Sequence, residues 1–80
     1  MDENAWSAYV KGLLKGELKR KGVTYKQLVR KLAALGLSET EVNIKNKISR
    51  GGFSAVFLIQ CLAAVGTYVV RLDDLRQPDD

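Results

Sequence analysis

The sequence predicts an all-α domain, a compact bundle of four to five helices, and three observations carry that prediction. A repeated signature, glycine then an apolar residue then Thr or Ser, opens the stretches GVTYKQL, GLSETEV and GFSAVFL. Apolar residues recur at three- and four-residue spacing in the segments before and after each signature. Hydrophobic residues make up 46% of the chain and Pro78 is its one proline, which fits a regular folded core rather than a disordered coil. Eighty residues are enough for one domain, spanning about 1–76, with an acidic tail at 77–80.

The elements follow in order. Helix 1 starts from Asn4 as its cap and places Trp6, Val10, Leu13, Leu14 and Leu18 inward, with Lys11, Lys15 and Lys19 as a basic row on the opposite side. Gly12 and Gly16 each cost a helix about 1 kcal/mol against Ala, so they are read as points of close contact with another helix. Helix 2, about 25–35, is capped by Thr24 with Gln27 completing a capping box, and buries Leu28, Leu32 and Leu35. Helix 3, about 39–50, is capped by Ser38 with Glu41 in the box position, staples Leu37 to Val42, and buries Ile44 and Ile48. Helix 4, about 55–65, follows Ser54 and is apolar on nearly every side, with Gln60 its one polar side chain. It is about half as long as a membrane span, so it requires either a central position or a second subunit. After Gly66 the run YVVRL admits two readings, a short strand at 68–72 or a fifth helix from Thr67. A lone strand would pair with its symmetry mate.

Charge narrows the function. The net charge of +4 hides an asymmetry, because Asp2, Glu3, Asp73, Asp74, Asp79 and Asp80 sit at the ends. Residues 4–72 carry twelve Lys and Arg against Glu17, Glu39 and Glu41, a net +9 that favours a polyanionic partner. The chain has no His, no metal-type cluster and no paired acids in an apolar setting, so neither catalysis, a metal nor a cofactor is expected. Cys61 lies in the apolar run FLIQCLAAV and reads as a small buried hydrophobe. The opening MDENAWS is neither a signal peptide nor a basic targeting arm, no segment reads as a membrane span, and a cytoplasmic location is expected.

The densest cationic stretch is NIKNKISRGG, which contains no acid. With Ile44 inward, Asn43, Asn46 and Arg50 fall on the outward half of helix 3, with Lys45 and Lys47 toward its flanks. Asn can bind adenine N6 and N7 together, and Arg or Lys can bind guanine O6 and N7. Helices 2 and 3 therefore read as a helix-turn-helix joined through Gly36 and Leu37. Asn43, Asn46, Lys47 and Arg50 are the candidate base readers, and Tyr25, Lys26, Thr40 and Lys45 the candidate backbone contacts. Each has a plainer role beside it: Arg50 can serve the helix dipole, the two Asn can solvate the helix or bond locally, and the Lys11, Lys15 and Lys19 row is either a phosphate surface or a solvated face.

From about residue 14 to 66, ELKRKGVTYKQLVRKLAALGLS followed by NKISRGGFSAVFLIQCLAAVG resembles the lambda-repressor-like helix-turn-helix family. Its members have a basic first helix, a G-[LVI]-[ST] entry, a recognition helix ending in an [IL]-x-x-G turn, and an apolar helix ending at Gly. The NKISRG stretch is also similar to that of a small bacterial domain family of unknown function. The first resemblance implies a DNA-binding fold. Two departures stand out: Tyr25 occupies the position where that family usually has a phosphate-contacting Gln, and helix 3 reads about one turn too long. Anchoring on Ser38 begins the reading face at Glu39 and Thr40, whereas anchoring on Ile48 to Gly51 begins it at Asn43 and Lys47, and the second keeps acids away from the bases.

The expectation is a sequence-specific double-stranded DNA-binding regulator, a repressor or autoregulator acting as a homodimer on an inverted-repeat operator. The dimer would form through helix 4 and residues 67–75. The alternative is a basic helical interaction module, an antitoxin or small phage or host inhibitor, that binds an acidic protein. An RNA binder fits less well because the aromatics do not cluster with the cations.

Overall fold

A short oxygen-bearing side chain opens each helix. The computed structural model describes residues 2–72. They form α1 (Glu3–Lys21), α2 (Tyr25–Ala34), α3 (Glu41–Arg50) and α4 (Ala55–Ala64). Asp2 Oδ1 accepts the Ala5 amide at 2.8 Å, Thr24 Oγ1 that of Gln27 at 3.1 Å, Thr40 Oγ1 that of Asn43 at 3.1 Å and Ser54 Oγ that of Phe57 at 3.0 Å. At α2 the Gln27 side chain returns the favour by accepting the Thr24 amide at 2.9 Å, so the expected capping box closes.

Two caps differ from the sequence reading. Asp2, not Asn4, starts α1, where its carboxylate also faces the positive end of the helix dipole. Thr40, not Ser38, starts α3, so the helix begins at Glu41 and its length is ten residues. The expected extra turn, the Ser38–Glu41 box and the Leu37–Val42 staple therefore do not form. Both Ser38 and Thr40 can cap; starting at Thr40 keeps residues 37–40 out of the helix, which lets Leu37 pack on the core and Glu39 reach Lys47.

The turn after α2 shows how the chain hands an apolar contact onward. Gly36 takes φ 83, the Gly36 amide bonds Ala33 O and the Leu37 amide bonds Leu32 O, which is a Schellman motif. The reversal leaves Leu35 53% exposed instead of inside, and Leu37 occupies the inner place. The joint between α2 and α3 is accordingly residues 35–40 rather than Gly36 and Leu37 alone.

α1 and α2 each pack against both α3 and α4. Leu14 and Leu18, Leu28 and Leu32, Ile44 and Ile48, and Phe57, Cys61 and Leu62 supply the shared core. Helices of ten residues are marginal alone, so burial of these side chains, about 1.5–3 kcal/mol each, holds them. Desolvation pushes the Cys61 thiol up to about 12, which keeps it protonated and inert. Trp6 is outside this core at 47% exposed, and among the described residues nothing lies within 4 Å of where a Cβ on Gly12 or Gly16 would be, so those glycines make no close contact with another described helix.

α4 turns Phe57, Cys61 and Leu62 inward and leaves Val56 and Ile59 outward, both more than 60% exposed. Residues 67–72 form neither strand nor helix. They are tied to the bundle at Thr67, whose amide bonds Leu62 O and whose hydroxyl donates to Glu17 at 2.9 Å. The expected acidic tail, and the part of the expected dimer segment beyond Leu72, lie outside the described residues. Among the described residues no helix is long and apolar enough to cross a membrane.

Candidate nucleic-acid interface

The packing of α3 fixes what it can offer. Ile44 and Ile48 are fully buried, so at 100° per residue the opposite side of the helix carries Val42, Asn43, Asn46 and Arg50, all exposed. The side chains of Asn43, Asn46 and Arg50 make no hydrogen bond or ion pair with any described residue. Their donors and acceptors are available to a ligand. Arg50 also lies in the last turn, where its charge suits the helix dipole. Lys45 is exposed on one flank.

Lys47, on the other flank, is engaged. Its ammonium donates to Glu39 at 2.6 Å and stands 4.9 Å from the centroid of the Phe57 ring. Phe57 in turn meets Phe53 edge-on, with centroids 5.6 Å apart. Glu39, an odd acid beside a proposed DNA surface, is thus an internal counter-ion. Glu41 is the first residue of α3 and faces the positive end of its dipole.

Neighbouring elements extend the surface. A Cβ added at Gly51 would sit 3.0 Å from Ser7 O and 3.4 Å from Lys11 Cβ, while Glu41 shares a shallow groove with Lys15, Lys19, Thr24 and Tyr25. The end of α3 therefore lies beside the start of α1 and its beginning beside the end of α1, so the two run antiparallel. The Lys11, Lys15 and Lys19 row follows α3 along its length rather than facing away from it. Tyr25, the first residue of α2, is half-buried against the core at one end of this row, and Lys26 beside it is exposed. Thr40 uses one of its two oxygen lone pairs on the Asn43 amide, and its hydroxyl hydrogen can still donate.

Sequence reasoning missed two features. Val42 reads as a staple residue if Ser38 is the cap; with Thr40 as cap it is the second residue of the helix and 67% exposed. The signal was present in two cap residues spaced two apart. The alignment of the α1 lysines with α3 is a tertiary relationship that spacing within one helix does not carry.

Fold and surface together define a small all-α protein with one cationic, amide-bearing helical face. The chain belongs to the family described as Domain of unknown function (DUF6471), which matches residues 6–70. The match runs from the second turn of α1 to the segment after α4. Comparison with curated proteins and with solved structures finds no match.

Proposed function

We propose that the protein is a sequence-specific double-stranded DNA-binding regulator, with α2 and α3 as a helix-turn-helix of the lambda-repressor-like kind. The observation that carries this reading is the unpaired set Asn43, Asn46 and Arg50 on the outward face of α3, flanked along its length by the α1 lysines. In the groove those three side chains meet base edges, while Lys45, Lys26, Tyr25 and Thr40, joined by the α1 row, bind phosphates. The reading needs no cofactor and no catalytic step, and it places the protein with DNA in the cytoplasm.

The acting unit is a homodimer. Val56 and Ile59 give α4 an exposed apolar side, which a second copy would cover, and two α3 helices related by a two-fold axis would read an inverted repeat. In this reading, occupation of a promoter by the dimer is the act of repression or autoregulation.

Selection from a random duplex pool at about 150 mM salt tests the reading, since non-specific binding is weak there. The expected result is an enriched inverted repeat with half-sites about ten base pairs apart, bound by a particle of dimer mass in light scattering. Affinity that only collapses with salt, without enrichment, would reject it. The same exposed Val56 and Ile59 also suit a second reading, an interaction module for an acidic protein, whose sign is tight protein binding with sequence-blind DNA affinity.

A further inference from the structure

Resting on the DNA-binding reading above, we infer that α3 reads adjacent A·T base pairs and that Val42 is one of the readers. Val42 stands 67% exposed on the outward side of the helix, with the inward positions filled by Ile44 and Ile48. Asn46, four residues on, lies directly above it on the same face, and Asn43 is adjacent in sequence. Asn46 thus faces directly away from the core, with Val42 to one side of it and Arg50 and Asn43 to the other, so the first two turns of the face carry one apolar group and two primary amides. In the major groove thymine alone presents a methyl group, and adenine presents one acceptor beside one donor, the pattern that a primary amide matches with both of its atoms.

Guanine instead presents two acceptors and calls for a cation. Lys47 is withdrawn from that task, because Glu39 holds its ammonium at 2.6 Å and the Phe57 ring lies beneath it. Lys45 stands on the flank, where phosphates run. Arg50 is then the one cation of α3 aimed outward, and it sits in the last turn. The arrangement assigns A·T pairs to the first and middle turns of α3 and confines any guanine contact to the Arg50 end.

The test uses the full chain and a random 30-base-pair duplex pool, with each thymine of the enriched duplex then replaced singly by deoxyuridine, which lacks the methyl. Wild type is expected to enrich two adjacent A·T pairs in each half-site. At one of their thymines it should lose about fourfold in affinity on replacement, the share of one buried methyl group. Val42→Ala, at an exposed site and with an unchanged helical spectrum, should bind the thymine and uracil duplexes equally. Lys47→Met should enrich the same sequence as wild type. A uracil penalty that persists in Val42→Ala, adjacent G·C pairs at these positions, or a guanine preference lost with Lys47 would overturn the inference while leaving DNA binding intact. A pool with no enriched sequence would remove the DNA reading itself, and this inference with it.

Discussion

The Lys47 ammonium lies 2.6 Å from the Glu39 carboxylate, and this contact ties the connection before α3 to the last turn of that helix. Lys47 is 45% exposed and Glu39 17%, so water screens the pair only in part. Exposed pairs are worth about 0.2–1 kcal/mol, and a cation over an aromatic face adds about 0.5–1 kcal/mol. Glu39→Ala should therefore lower stability by about 0.2–1 kcal/mol in urea denaturation, and Lys47→Ala, which also loses the ring contact, by more. The double variant with Lys47→Ala should cost less than the sum of the two single changes. Strict additivity would mean that the pair contributes nothing.

Gly51 is held by two constraints at once. Its φ of 72 is a left-handed conformation that costs an L side chain about 1–2 kcal/mol, and an added Cβ would meet the Ser7 carbonyl at 3.0 Å. Ser7 O belongs to the backbone of α1 and cannot swing aside. Gly36 has a similar φ of 83 but open space around it. Gly51→Ala should thus destabilise the protein by clearly more than Gly36→Ala, by about 2 kcal/mol or above. Gly12→Ala and Gly16→Ala, in open helical positions, should each stabilise it by about 0.5–1 kcal/mol. Thermal unfolding of the four variants checks the order. A loss of stability at Gly12 or Gly16 would place another chain against that face of α1.

Glu17 gives the fold a pH dependence of known sign. A hydrogen bond from Arg20, then one from Thr67, holds its carboxyl below the ordinary value of 4.5. A carboxyl lowered on folding adds stability that is fully present above 4.5 and is lost as pH falls through its lower folded value. Thr67 is buried, and through it this carboxylate fixes the start of the segment after α4. Wild type should lose melting temperature below pH 4.5 more steeply than Glu17→Gln. Parallel curves for the two would show that the Arg20 and Thr67 bonds do not couple to folding.

The contrast between α2 and α3 shows what was legible in the sequence. Thr24 is the only side chain near the start of α2 that can cap it, so cap, box and inner leucines follow from local chemistry alone. Before α3, Ser38 and Thr40 both qualify, and the choice between them depends on Leu37 reaching the core and Glu39 reaching Lys47, neither of which is a local fact. Leu35 and Leu37 exchange places for the same reason. At the candidate interface, helical spacing alone put Asn43, Asn46 and Arg50 on one face, whereas the engagement of Lys47 and the lysine row beside α3 required the packed bundle. The described residues contain no strand, so the β-branched composition of residues 67–72 meets no sheet edge to extend.

Arg50 and Lys45 separate base reading from charge attraction, because both are exposed cations on α3 but they point in different directions. Arg50 lies on the outward face with Asn46, where a guanidinium could match guanine O6 and N7, while Lys45 stands on the flank, where the proposed complex puts the phosphates. In the proposed complex Arg50→Ala should cost about 1–3 kcal/mol on the preferred duplex, relax the preference at one base pair, and leave binding to scrambled duplex nearly unchanged. Lys45→Ala should instead weaken both duplexes alike and reduce the salt slope by about 1. Titrations of the two variants against both duplexes at several salt concentrations distinguish these patterns. If Arg50→Ala behaves as Lys45→Ala does, Arg50 supplies only charge, and the reading face shrinks to the first two turns of α3.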